Sequence, residues 1–335
     1  MSARSVSWLV PVRDAGATLG AAIASIAAQT VSDWEAVIVD DGSQDVSVAD
    51  LVRSVVGEDS RFRVEICPPR GIVSALNHGL ALCRGDWVAR LDSDDVARPS
   101  RLERQLAVIA DGVGVIDGKI ALFADGGEPP EGMLKWADWL NALGAGGWFA
   151  QRLIDTPACH PAVLMRREAV LGVGAYRDGD FPEDFDLWLR MISAGWRFVR
   201  VEGEPLVDVR DRPERLTRSD PRYRREAFDR VRREHLADTL LRETGPVAVW
   251  GAGNTGRRWI RWLLQRGHGL TIVDPYQVGR QCQDHPVFSP EVLRESEVDR
   301  LIVAVAARGA RPLIRAEIQR IRPDLREGEH WLFVA

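Results

Sequence analysis

Apolar residues along this chain fall in short runs that alternate with stretches of helical period. Residues 5–12 are apolar and β-rich, 17–28 repeat Ala and Ile at helical spacing, and 35–39 are again strand-like. Residues 51–56 read as helix, 62–67 as strand, 72–83 as helix and 87–91 as strand. Short strands separated by such helices predict a doubly wound, mainly parallel α/β sheet, with its ligand site on loops at the carboxyl ends of the strands.

Beyond Asp111 the alternation weakens. Residues 113–123 read as a strand or hairpin, 125–130 (Asp-Gly-Gly-Glu-Pro-Pro) as a loop, and 133–142 as a helix broken by 144–147. A strand is expected over 161–165. An amphipathic helix follows over 183–194, with Glu183 and Asp184 in the first turn, where exposed N–H groups favour carboxylates. The Arg-, Asp- and Pro-rich stretch 208–221 reads as a connector, and 223–242 as a charged helix. A new βαβ pattern then begins: strand 246–250, Gly251-Ala252-Gly253-Asn254-Thr255-Gly256, helix 257–266, and strand 270–273 ending at Asp274. Strands over 301–306 and 330–334 and a helix over 312–321 complete it. The expectation is a first domain over 1–215, a charged helical connector over 216–244 and a small α/β domain over 245–335.

The 335 residues suffice for two cores, and 45% hydrophobic with 28% charged residues places the chain among soluble globular proteins. A net charge of −5 with scattered Arg excludes a nucleic-acid-binding field. Cys67, Cys83, Cys159 and Cys282 follow no metal or disulfide spacing and suit a reducing compartment. Residues 6–12 are too short for a signal-peptide core and are broken by Pro11. No run is as long as a membrane span, so a cytoplasmic protein is expected.

Three carboxylates close the 87–91 run: Asp92, Asp94 and Asp95 in Asp-Ser-Asp-Asp. Acids this close repel one another, and a hard cation such as Mg²⁺ or Mn²⁺, carried with a diphosphate, relieves that. The plain alternative is a solvated turn before the helix near Pro99. Asp40-Asp41-Gly42-Ser43 ends the second strand, Arg70 precedes the helix at Ile72, and Glu183-Asp184 opens another. Helix capping or surface charge explains each one singly. Together, at the ligand edge of one sheet, they point to a single site.

In order, Leu9-Val10-Pro11-Val12-Arg13-Asp14, Gln29-Thr30 before Trp34-Glu35, Val39-Asp40-Asp41-Gly42-Ser43, Gly71-Ile72 with Ala75-Leu76-Asn77-His78-Gly79, Arg84-Gly85-Asp86, Leu91-Asp92-Ser93-Asp94-Asp95 and Pro182-Glu183-Asp184 resemble the inverting family-2 glycosyltransferases of the GT-A fold. The resemblance covers about residues 5–205. It implies a nucleotide-sugar donor and a glycan or lipid-linked acceptor, in polysaccharide or cell-surface glycan synthesis. A lipid-linked acceptor brings peripheral contact with the inner face of a membrane. Asp41, with Asp40 beside it, is implied to bind the base, with Pro11 and Arg13 lining the pocket and Arg70 near the phosphates. Asp92 lies near ribose or sugar hydroxyls, Asp94 on Mn²⁺ or Mg²⁺, and Asp95 in support. Asp184 is implied as the general base and Glu183 as its orienting partner. His160 is a further metal ligand or acceptor contact, or else a structural histidine. Trp136, Trp139 and Trp148 form a wall for a sugar ring, or else core. Leu76 departs from the family, whose members often carry Arg there. The Gln-Xaa-Xaa-Arg-Trp element of processive synthases is absent, which favours single-sugar transfer.

In the second domain Gly251, Gly253 and Gly256 follow a strand and open a helix, and Asp274 ends the next strand about twenty residues on, as a dinucleotide fingerprint requires. It resembles the small Rossmann-like modules of sugar-nucleotide enzymes. With room for little more than half such a unit, a structural or assembly module is favoured over one that binds an NAD-type nucleotide. The alternative function is a sugar-nucleotide oxidoreductase or nucleotidyltransferase-like enzyme working through this fingerprint.

Overall fold

A computed structural model describes residues 5–144, 146–213 and 215–335. By contacts the chain divides into two units: Met1–Ala145 with Ala158–Phe228, and Gly146–Pro157 with Asp229–Ala335. The division thus falls inside the charged helix Arg225–Asp238, and a twelve-residue piece from mid-chain belongs with the carboxyl-terminal unit.

In the first unit the strands are β1 (Val6–Val12), β2 (Trp34–Asp40), β3 (Phe62–Ile66), β4 (Trp87–Arg90), β5 (Val96–Ala97), β6 (Val113–Gly118), β7 (Ile120–Phe123), β8 (Leu164–Arg166), β9 (Arg197–Val201) and β10 (Val207–Arg210). Seven form one sheet in the order β3-β2-β1-β4-β8-β6-β9. β1 to β4 are mutually parallel, and β8 runs antiparallel to both β4 and β6. All seven residues of β1 are buried, as expected when helices cover both faces of a sheet. On one face Trp8, Val10 and Val12 join a core with Leu19, Ile23 and Ile26 of the helix Leu19–Ala27. That helix buries an i, i+4, i+7 stripe, the period read from its sequence.

Residues 113–123 do not form a hairpin. β6 lies in the large sheet and β7 in a second sheet of order β5-β10-β7. The 208–221 stretch likewise begins as strand: β10 pairs antiparallel with β5, Val207 opposite Ala97 and Asp208 opposite Val96. Because β5 follows Asp95 directly, this short ladder carries the residues after β10 onto the acidic loop.

The second unit holds β11 (Pro246–Trp250), β12 (Gly269–Val273), β13 (Gln281–Cys282), β14 (His285–Phe288), β15 (Leu301–Val303) and β16 (Trp331–Phe333), in the order β13-β14-β12-β11-β15-β16. Apart from the antiparallel edge strand β13, all neighbours are parallel. The chain order 3-2-1-4-5 across the parallel strands is that of a doubly wound sheet, with the direction of winding reversing beside β11. The mid-chain piece is tied into this unit through its backbone and through the side chain of Arg152. Arg232 Nε and Nη2 donate to the carbonyls of Leu153 (2.7 Å) and Ile154 (2.8 Å). Arg152 Nη1 reaches the carbonyl of Gly328 (3.0 Å), and its Nε meets His235 Nε2 at 3.1 Å.

Trp136 and Trp139 pack partly buried against the first unit's core. Trp148 lies in the second unit, edge-on to Phe149. The three therefore do not form one wall within a unit. No described helix is long and apolar enough to cross a membrane.

Candidate active site

The acids at the end of β4 converge. One carboxylate oxygen from each of Asp92, Asp94 and Asp95 lies within 4.8 Å of the others. Each acid is served differently. Asp92 Oδ1 is 2.5 Å from Nη1 of Arg90, a guanidinium buried beneath the loop. Asp94 Oδ2 is 2.6 Å from Nη2 of Arg212. Asp95, 1% exposed, accepts the backbone N–H of Arg210 at Oδ1 (2.8 Å), while its Oδ2 is buried with no hydrogen-bond partner. Burial pushes the Asp95 carboxyl well above its ordinary range, and the charges of Asp92 and Asp94 add to this. Asp94 is raised for the same reasons, with Arg212 opposing. Buried polar atoms in folded proteins are nearly always paired, so an orphaned carboxylate oxygen beside two other acids calls for a bound group. Three hard oxygen donors fit Mg²⁺ or Mn²⁺.

The floor of this loop is Arg101, fully buried, which donates to the carbonyls of Arg90 (2.8 Å), Pro161 (2.8 Å) and Val163 (2.9 Å). Burial lowers its pKa to about 9. Arg90 is the local hub. Burial disfavours its charge, but Asp92 outweighs that and keeps it a cation. Its field also reaches Asp95, His160 and Glu183.

His160 is not among the converging ligand atoms. Its Nε2 is 2.8 Å from the Tyr176 hydroxyl, and its ring stands edge-on to Trp188. Burial, with Arg90 nearby, holds it well below an ordinary histidine pKa, so the ring is neutral at pH 7. Tyr176 is in turn anchored by Asn77, whose side chain exchanges hydrogen bonds with the Tyr176 backbone at 2.8 and 3.1 Å. Leu76 beside it is fully buried, so this position contributes packing in place of a cation.

Asp40 ends β2, Asp41 follows it, and both are buried. Asp40 Oδ1 accepts the N–H of Ser43 (2.8 Å). Asp41 accepts the N–H groups of Arg70 (2.8 Å) and Gly71 (2.9 and 3.2 Å), and meets Arg13 Nη1 at 3.3 Å. Gly71, at φ +91°, is the residue preceding the helix Ile72–Leu82, a backbone conformation that favours glycine. Asp41 thus shapes the loop that presents Arg70. Pro11, buried in β1, and exposed Arg13 lie beside it. Arg70 and Gly71 line an open cleft of about 470 Å³ with Asp178, Asp180, Asp220 and Arg222.

Glu183 and Asp184 open the helix Glu183–Ser193. Glu183 is 3% exposed, its pKa is raised by burial, and it accepts the Tyr223 hydroxyl at 2.9 and 3.2 Å. Asp184 is half-buried, and its Oδ1 accepts the N–H of Phe185. Asp186, one turn in, is bound by Arg177 and Arg190 and serves the scaffold. Arg90, Tyr176, Arg210, Arg212 and Tyr223 carry no motif that marks them in sequence. Only the density of Arg in 208–221 hints at them.

The family described as Glycosyl transferase family 2 matches residues 7–173, a span that takes in β1 to β8 and both the Asp40–Asp41 and Asp92–Asp95 loops. Residues 7–173 belong to glycosyl transferase family 2. The chain is 29% identical over 216 residues to the putative glycosyltransferase EpsE of Bacillus subtilis (strain 168), covering 63% of this chain and 74% of that protein. It is also 29% identical over 212 residues to the Escherichia coli UDP-Gal:alpha-D-GlcNAc-diphosphoundecaprenol beta-1,3-galactosyltransferase, covering 62% and 73%. Similarity to the E. coli O-antigen biosynthesis glycosyltransferase WbnJ is 28% over 174 residues and spans 65% of that protein. Among solved structures, S. aureus TarS residues 1–349 with UDP-GlcNAc align at a TM-score of 0.53 and 17% identity, over 71% of this chain and 66% of that one, a likeness of fold. Glycosyl transfer is the chemistry of the family 2 domain.

Proposed function

We propose that this protein is a metal-dependent, inverting glycosyltransferase. It moves a sugar from a nucleoside-diphosphate donor to a hydroxyl of a glycan or lipid-linked acceptor, in polysaccharide or cell-surface glycan synthesis. The observation that carries this reading is the convergence of Asp92, Asp94 and Asp95 at the carboxyl end of β4, where Asp95 also keeps a buried, unpaired oxygen. The relatives' roles in O-antigen synthesis and in transfer to a diphosphoundecaprenol acceptor support the acceptor class.

Asp94 and Asp92 are the ligands for Mn²⁺ or Mg²⁺, with Asp95 behind them. When bound, the cation neutralises charge on the diphosphate leaving group. The Asp41-ordered loop, with Pro11, Arg13 and Asp40, receives the base, and Arg70 adds positive charge at the cleft. Asp184 takes the proton from the acceptor hydroxyl as its oxygen attacks the anomeric carbon on the face opposite the leaving group, which inverts configuration. Glu183, held by Tyr223, positions the turn that carries Asp184. His160 stays neutral and packs beneath the site. Its place outside the ligand cluster favours the structural role. Gly251, Gly253, Gly256 and Asp274 are read as the framework of a structural or assembly module, and no NAD-type nucleotide enters the reaction.

The test is donor hydrolysis across a panel of UDP-, GDP- and dTDP-sugars with Mn²⁺ or with EDTA. One donor is expected to be hydrolysed only with the metal. Asp184→Asn should retain Mn²⁺-dependent nucleotide binding and lose transfer; retained transfer removes Asp184 as the base.

A further inference from the structure

The three acids differ in what holds them, and the difference separates fixed partners from a displaceable one. Asp92 faces Arg90, which is buried in the sheet and has nowhere to go. Asp95 faces the backbone N–H of Arg210, fixed by the β5–β10 ladder. Asp94 is held at its side chain by Arg212, a partly exposed side chain that lies beyond the end of β10. Arg212 Nε, like Nε of Arg90, is buried without a hydrogen-bond partner, so what sets Arg212 apart is its exposure, 34% of the side chain against 4% for Arg90.

We propose that Arg212 is a positioning residue for the donor diphosphate. In the nucleotide-free enzyme it occupies the Asp94 oxygen that the divalent cation requires, and it transfers to the diphosphate when cation and diphosphate arrive together. This rests on the metal-dependent reading above. A lone dication entering the cluster must displace the guanidinium and leave it unpaired beside a like charge. A dication bringing a diphosphate supplies new acceptors, and a planar guanidinium matches two phosphate oxygens in a bidentate geometry. Binding of the cation and binding of the diphosphate are therefore coupled through one side chain, and coupling of this kind is reciprocal.

The experiment uses the full chain, with Mn²⁺ alone and then the Mn²⁺–pyrophosphate complex as probes. Pyrophosphate carries the diphosphate without a choice of base. Free Mn²⁺ is followed by its electron paramagnetic resonance signal, and the complex by calorimetry. Arg212→Ala is expected to bind Mn²⁺ alone about tenfold more tightly than the natural chain, and the Mn²⁺–pyrophosphate complex about tenfold more weakly, the scale of one charge-assisted contact. Arg212→Gln, which keeps most of the stem and loses the charge, should repeat both shifts. Opposite signs from one substitution are not produced by a general loosening of the loop. Equal Mn²⁺ affinity in the natural chain and both variants overturns the inference and leaves the metal reading standing. Failure of all three to bind Mn²⁺, with or without pyrophosphate, overturns both.

Discussion

Two acidic loops in this molecule sit at corresponding places, each at the carboxyl end of a parallel strand, and they are built in opposite ways. After β12, Asp274 is fully engaged. Its Oδ2 accepts the N–H of Ala252 (2.9 Å) and the Gln277 side-chain amide (3.0 Å), and its Oδ1 accepts the N–H of Tyr276 (3.0 Å). After β4, the Asp92–Asp95 loop holds three carboxylates, one with a buried oxygen left unpaired. The first loop uses an acid to close a turn. The second crowds three acids together and, although Arg90 and Arg212 meet two of them, leaves the third with an oxygen that its own chain does not satisfy. Among loops of one architecture, the place where hydrogen bonding is left incomplete is the place reserved for something else.

That contrast can be broken most decisively through activity. Asp94→Ala or Asp184→Asn should lower glycosyl transfer by about 10²–10⁴-fold, the usual worth of a positioned acid–base group or metal ligand, whereas Asp274→Asn should leave transfer unchanged. Loss of transfer in the Asp274 variant, measured on the same donor, would erase the distinction.

Next in size is a backbone effect in the second unit. A Cβ on Gly256 would lie 1.8 Å from the Gly251 carbonyl oxygen, while one on Gly253 meets nothing within 4 Å. Gly256→Ala should cost about 3 kcal/mol in urea unfolding, and Gly253→Ala no more than about 0.5 kcal/mol. Equal costs would show that this turn is not closed by packing.

The two acids should then differ in sign. Asp274→Ala strands the buried N–H of Ala252 and should destabilise the chain by about 2 kcal/mol. Asp95→Asn keeps an acceptor for Arg210 and removes a buried, repelled charge, so it should raise the melting temperature at pH 7 while abolishing the Mn²⁺ response.

The smallest effect is the pH dependence from His160. Its folded pKa lies well below that of an unfolded histidine, near 6.5, so the unfolded chain binds the proton first. Stability is therefore full above about pH 6.5 and falls as the pH drops below it. His160→Phe should flatten that slope in unfolding curves at pH 7.5 and 5.5.

The first sheet was legible in sequence because each strand is a short apolar run ended by polar residues, and because Asp41, Asp94 and Asp184 each sit at the boundary of a regular element. What was not legible depends on pairing across long separations. Arg210 reaches Asp95 only because β10 pairs with β5, 115 residues away along the chain at that contact. Tyr223 meets Glu183 from 40 residues on, where the sequence shows only a charged helix beginning. The reading of 113–123 as a strand or hairpin missed that its two strands serve different sheets, since periodicity reports which residues alternate and not which sheet they join. Trp148 was grouped with Trp136 and Trp139 by nearness in sequence, yet the chain passes between units at residue 146.

That crossing has a consequence for synthesis. The 146–157 piece leaves the ribosome well before the residues that hold it, since Arg232 and His235 follow Leu153 and Arg152 by 79 and 83 positions and Gly328 follows Arg152 by 176. At about 5–20 residues per second, Leu153 waits several seconds or more for Arg232, and Arg152 longer still for Gly328. Until then the carbonyls of Leu153 and Ile154 lack the guanidinium that binds them in the finished chain. No single cut of the gene separates the two units, and a chain stopped at Phe228 leaves the 146–157 piece without Arg232, His235 and Gly328.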